Sequence, residues 1–318
     1  MRHHRRLFLR TLGGAAIRLF PASGEARQPL RGIFPIVQTP FTDADKLDLD
    51  VLAEEVRFLD RGRVHGIVWP QNASEWSSLG ESERFAGAEA ILATAKKLRR
   101  PVVIGVQAPS TEAAVGYARH AAKNGADGII SLPPAKAAMP TLMEFYQAVG
   151  KATDLPLFAQ AAGDFSVDEL IGLCLAVPTL RYIKDEAGQP LLRFAELQAK
   201  SSGKLQVFSG GGKNQIDEMI RGFSGCMPFS FFADIQAGAW DLWHEGKRRE
   251  AIDLFGHVAT MLDEIAVYGL EAVKYILCRR GVFKTWRIRE KKRLGTFDEQ
   301  AQQAVARMVT LMKPYFRA

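Results

Sequence analysis

Lys184 sits in the run Leu180-Arg181-Tyr182-Ile183-Lys184-Asp185-Glu186, which is β-like and mostly apolar until it turns acidic. Side chains two apart on a strand share a face, so Tyr182, Lys184 and Glu186 point together. If that face is buried, the charged ammonium is disfavoured and the free amine favoured. A sheltered amine can attack a carbonyl and form an imine, whose protonated form draws electrons from an adjacent C–C or C–O bond. A plainer reading pairs Lys184 with Glu186 or lets it reach solvent along its own apolar stem. On spacing alone, the plainer reading has the better claim.

The neighbouring sequence must supply the frame that aims this amine. Eight β-like runs follow one another: GIFPIVQTPF (32–41), GIVWPQ (66–71), PVVIGVQ (101–107), GIISLPP (128–134), PLFAQA (156–161), LRYIKDE (180–186), LQVFSGGG (205–212) and GCMPFSFF (225–232). Each precedes a helical stretch, and most are continuous apolar runs of the kind that both-face burial requires. Eight such units over about 220 residues predict an α/β fold, a (β/α)8 TIM barrel with a C-terminal helical extension. The barrel is expected over residues 29–256. An open doubly wound sheet would want a glycine-rich dinucleotide turn after its first strand, and QTPFTDADK is not one. Residues 257–318 hold three more helical stretches, read as an annex against the barrel or a neighbouring subunit.

Barrel chemistry gathers at the carboxyl ends of the strands. There the sequence places Asn72, Ala73 and Glu75 after the second run, Lys136 after the fourth, Gln160 on the fifth and Lys184 and Glu186 on the sixth. Gly210 and Gly211 follow the seventh, and Met227 lies in the eighth.

Other classes are disfavoured. The formal charge of +7 is concentrated at the two ends, without the aromatic-basic face of a nucleic-acid reader. Cys174, Cys226 and Cys278 are far apart and odd in number, and the histidines form no ligand-spaced pair, so no metal or other cofactor is expected. No run approaches the ~18 consecutive apolar residues of a membrane span. Residues 1–28 read as a leader: Arg5-Arg6-Leu7-Phe8-Leu9 is similar to a twin-arginine export signal, though Arg18 interrupts the apolar stretch. Export to the periplasm is expected if this leader functions, and a cytoplasmic location with a basic arm if it does not.

From Gly32 onward the chain resembles the dihydrodipicolinate synthase / N-acetylneuraminate lyase family of Schiff-base barrels. The resemblance is carried by GIFPIVQTPFT, by Arg181-Tyr182-Ile183-Lys184-Asp185, by FSGGG and by the helical tail. It implies that Lys184 forms the imine with a 2-keto acid such as pyruvate, and that the chain is a homo-oligomer, dimer or tetramer. Departures are as informative. Where the family has G-T-T-G-E to grip the keto-acid carboxylate, this chain has Gln71-Asn72-Ala73-Ser74-Glu75. The amides of Asn72 and Ala73 and the Asn72 side chain remain able to hold it. The family's proton-relaying tyrosine on the fifth strand is Gln160 here, and a second tyrosine is replaced by Ala135 or Lys136.

Gln160, the glycines at 210–212 and Gly225-Cys226-Met227-Pro228 look more like the branch that dehydrates or cleaves 2-keto-3-deoxy sugar acids. Proton movement would then fall to Glu186, Glu75 or Lys136. An ordinary ion pair for either glutamate and a solvated loop position for Lys136 are the competing readings. Two functions stay open: a Schiff-base aldolase or dehydratase, and a catalytically impaired keto-acid or sugar-acid binding protein on the same barrel. A metal-dependent aldolase or a Ser/His/Asp hydrolase lacks its constellation.

Overall fold

A computed structural model describes residues 28–134, 139–289 and 297–318, apart from the side chains of Glu264 and Ala266. The expected leader, except Gln28, lies outside these residues, as do Ala135 and Lys136.

Eight parallel strands form the sheet: β1 (Gly32–Ile33), β2 (Ile67–Trp69), β3 (Val102–Gly105), β4 (Gly128–Ser131), β5 (Leu157–Gly163), β6 (Leu180–Ala187), β7 (Gln206–Ser209) and β8 (Gly225–Cys226). Their order is β1-β8-β7-β6-β5-β4-β3-β2. The two ends of that order meet. Ile36 bridges Val68, the Val68 N–H donates to Pro35 O (3.0 Å) and the Val37 N–H to Val68 O (3.0 Å), which makes the sheet a barrel. Every residue of β2, β3 and β4 is buried, as strands covered on both faces must be.

Helices alternate with the strands: α1 (Leu49–Arg61), α2 (Glu81–Leu98), α3 (Thr111–Lys123), α4 (Met139–Lys151), α5 (Val167–Ala176), α6 (Pro190–Ser201), α7 (Gln215–Arg221) and α8 (Ala233–His244). Several start where short polar side chains satisfy the free amides of the first turn. Asp48 accepts from Val51, Ser110 from Ala113, and Ser166 from Glu169 in a reciprocal capping box. A tail follows of α9 (Arg248–Ala266), α10 (Leu270–Arg279) and α11 (Glu299–Met312). The helical stretch expected over 235–255 is two helices, broken at Glu245–Lys247, and α9 continues across residue 257. α8 is buried from Ala233 to Trp240, because barrel and tail cover it from both sides.

Two cores result. The outer one fills the space between strands and helices. The inner one fills the barrel, with Phe34, Val68, Val103, Ile130, Phe158, Tyr182, Phe208 and Met227 among its members. Phe158 and Tyr182 stack at 4.3 Å, and Phe208 meets Phe34 and Phe158 edge-on at 5.5 and 5.4 Å. The Leu30 N–H donates to the Tyr182 hydroxyl (3.0 Å), so the segment entering β1 plugs the amino end of the barrel. Tyr182 faces inward; Lys184 and Glu186, on the same face of β6, therefore rise from this floor toward the opposite mouth.

The tail is fastened by a buried pair. Arg280, the residue capping the carboxyl end of α10, reaches both carboxylate oxygens of Asp234 on α8 at 2.8 Å, with each side chain 1% exposed. Asp234 also accepts the Arg317 N–H (2.9 Å), and the guanidinium lies 3.7 Å from the centre of the Phe316 ring.

Three other buried acids bind their protons more tightly than they would in an unfolded chain. Burial pushes Glu55 of α1 up to about 8, Glu218 of α7 up to about 7 and Asp185 of β6 up to about 6; the Gln38 amide, Ser209 and Arg193 respectively oppose the shift. Above the ordinary carboxyl range the folded state binds more protons than the unfolded one, so stability falls as pH rises toward these values. For Glu55 the decline runs from about pH 4.5 to about 8, at about 1.4 kcal/mol per pH unit. Urea titrations across that range should show the wild type losing stability with pH, and Glu55→Gln should lose less.

Candidate active site

Lys184 is the Cα partner of Gln160 on β5 and of Phe208 on β7. Its side chain is 3% exposed, and Nζ lies 3.2 Å from Glu186 Oε2. Gln160 Nε2 donates to the same oxygen at 2.5 Å. A carboxylate only accepts, so this contact fixes the amide with its NH2 toward Glu186. Gln160 Oε1 is left buried and without a partner. The surroundings of the amine are thus less apolar than the strand sequence suggests. It meets a carboxylate and an amide, and both readings of Lys184, reactive amine and Glu186 partner, describe the same atom.

These three residues border a cavity of about 320 Å³ at the barrel mouth. Asn72 and Ala73 line it from the β2 end, Gly210 and Gly211 from the β7 end and Met227 from the β8 end. Eight of the ten residues picked out from the sequence therefore meet around one space. Gly210 is there for lack of a side chain: a Cβ at this position would stand 2.0 Å from Glu186 Oε1. The glycine makes the room that the carboxylate occupies.

Asn72–Ser74 form a single 3-10 turn. Its first internal bond runs from the Ser74 N–H to Gln71 O (2.9 Å), so the Asn72 and Ala73 N–H groups precede it and remain able to donate. Hydroxyls pin the turn to the end of β1. Ser74 Oγ donates to Val37 O and Thr39 Oγ1 donates to Ser74 O, both at 2.6 Å. Asn72 Oδ1 accepts from Trp76 Nε1 (2.9 Å), which leaves the Asn72 NH2 as a further donor.

Glu75 departs from expectation. It does not line the cavity; it closes the turn in the left-handed region (φ 55°) and points away from the opening. Oε1 accepts from Lys274 Nζ of α10 (2.5 Å), and Oε2 accepts the Arg289 N–H (2.6 Å). Both side chains of the pair are fully buried. Burial pulls the Lys274 ammonium below the ordinary lysine range, and the Glu75 carboxylate opposes this. The competing ion-pair reading is the one that describes Glu75. Lys136 lies outside the described residues.

Ile36, Phe229 and Leu270 complete the lining and escaped the sequence reading. Ile36 and Phe229 belong to the first and eighth β-like runs, and they could have been found by counting two along from the inward-facing Phe34 and Met227. Leu270 comes from a tail helix, and nothing in LEAVKYILCRRG marks it as facing the barrel. Among the described residues no group of three or more His, Cys, Asp or Glu side chains is placed to hold a metal ion, and no helix is long and apolar enough to cross a membrane.

Known proteins with the same architecture can now be set beside this site. A protein of Escherichia coli K12 named probable 2-dehydro-3-deoxy-D-pentonate aldolase YjhH is 30% identical over 251 residues, which is 76% of this chain and 82% of that protein. The 4-hydroxy-tetrahydrodipicolinate synthase of Methylacidiphilum fumariolicum SolV shares the fold with a TM-score of 0.82 at 20% identity, over 90% of this chain and 97% of that one. YagE of Escherichia coli K12, solved in complex with pyruvate, superposes with a TM-score of 0.81 at 19% identity, over 90% of this chain and 98% of that one. The sequence model of the dihydrodipicolinate synthetase family matches residues 29–312, nearly all of the described chain. The chain belongs to the dihydrodipicolinate synthetase family.

Proposed function

We propose that this protein is a Schiff-base-forming lyase, an aldolase or dehydratase, acting on a 2-keto acid of the 2-keto-3-deoxy sugar acid type. The observation that carries the reading is the buried Lys184 Nζ at the edge of an open cavity, 3.2 Å from a carboxylate that can take and return its proton. As free amine, Nζ attacks C2 of the keto acid. The resulting carbinolamine loses water, and Glu186 returns a proton to the departing hydroxyl. The iminium then accepts the electron pair of the bond that breaks.

Gln160 stands where relatives carry a tyrosine and cannot shuttle a proton near neutral pH. Its NH2 holds Glu186, and Glu186 takes over the proton transfer. The Asn72 and Ala73 amides suit the substrate carboxylate. The name of the Escherichia coli relative, a pentonate aldolase, and the pyruvate complex of YagE support the substrate class. The lost tyrosine favours one second reading, a keto-acid binding protein without turnover.

Borohydride reduction in the presence of pyruvate or a 2-keto-3-deoxy acid should add the reduced ligand's mass to the Lys184 peptide, with no adduct in Lys184→Ala. No adduct with any 2-keto acid would overturn the reading. Imine trapping without measurable cleavage or dehydration would leave the binding protein. Glu186→Gln should lower turnover by about 10²–10⁴-fold, the range of general acid–base catalysis, while keto-acid binding persists. Gly210→Ala should cost on the order of 10²-fold in rate by pushing the carboxylate aside, with the folded spectrum retained.

A further inference from the structure

Leu270 and Lys274 are four residues apart on α10, one above the other on a single helix face. Leu270 forms part of the cavity wall. Lys274 lies behind that wall and has no exposed surface. It donates to Glu75 Oε1 (2.5 Å) and to Arg287 O (2.8 Å), while Glu75 Oε2 receives the Arg289 N–H (2.6 Å). Glu75 is the residue that ends the Asn72–Ser74 turn, with a positive φ of 55° that a side-chain-bearing residue keeps only where its surroundings hold it. Hydroxyls fasten the other side of that turn to the β1 segment. The turn that carries the Asn72 and Ala73 amides is therefore held between barrel and tail.

We infer that Lys274 is a positioning residue: acting through Glu75, it sets where the Asn72 and Ala73 N–H groups meet the substrate carboxylate, which makes the tail helix α10 part of the binding machinery. This rests on the reading of the site as a keto-acid lyase. An apolar contact would tolerate sliding of α10 against the turn. A fully buried ion pair resists it, because sliding far enough to break the hydrogen bond, by more than about an ångström, leaves two charges without water and only weakly paired. Neither Lys274 nor Glu75 lines the cavity, so the pair acts on ligand placement and not on the imine nitrogen. Its influence is confined to ligands that carry the carboxylate.

That confinement gives the test. Borohydride trapping at Lys184 is titrated in the full chain with pyruvate and with hydroxyacetone, a ketone without a carboxylate. The variants are Lys274→Met, Glu75→Gln and the double variant, in which neither charge is left alone, and those keeping the wild-type circular dichroism spectrum are compared. The pyruvate concentration for half-maximal trapping should rise about tenfold or more, with the same maximal yield, while the hydroxyacetone curve stays within about twofold. Equal displacement of both curves, or of neither, overturns the inference while leaving the lyase reading intact, and so does loss of the folded spectrum in all three variants. A wild type that traps no 2-keto acid removes the lyase reading and this inference with it.

Discussion

Tyr182, Lys184 and Glu186 stand on one face of β6, and the depth of each fixes what it can do. Tyr182 is stacked on Phe158 in the barrel floor, Lys184 is almost wholly covered one step above, and Glu186 reaches the mouth with a third of its side chain exposed. A strand rises about 3.3 Å per residue, so successive inward side chains are separated by less than 7 Å along the barrel axis. That spacing lets one strand supply a floor, a buried amine and a carboxylate at the mouth in sequence. A shift of register by one residue would put Ile183 and Asp185 in the barrel and remove the site. The rest of the barrel keeps β6 from shifting, through its ladders to β5 and β7 and the two cores it separates.

On the reading proposed above, the acidic function sits on β6 and not on its neighbour β5. A tyrosine on β5 would carry its own hydroxyl proton. Gln160 carries none, but its amide grips the carboxylate of Glu186, and Ala162 is the cross-strand partner of that glutamate. Gly210 completes the exchange from β7, since any side chain there would take the space of Oε1. Three strands therefore combine to hold one carboxylate beside one amine. The residues at 160, 186 and 210 make physical sense together and little sense singly.

The barrel was legible because both-face burial writes parallel strands as plain apolar runs, and because helices between them begin at Asp48, Ser110 and Ser166, the first two ending beside Gly62 and Gly125. Eight of the chosen residues meet in one cavity because strand period and barrel polarity decide which atoms converge, and both can be counted from sequence. Glu75 was misjudged because neighbouring residues in a tight turn point opposite ways, and the partner that captures it lies 199 positions away. No local pattern announces a lysine on a tail helix as a buried counter-charge.

The plug at the opposite pole has a topological consequence. Leu30 is tied by its backbone to Tyr182 beneath the floor, so the polypeptide enters the barrel from the sealed end. In a chain begun at Gln28, a purification handle, a fused protein or a linker to a solid support joined there would depart from the pole remote from the opening, and immobilised molecules would stand with their entrances toward the liquid.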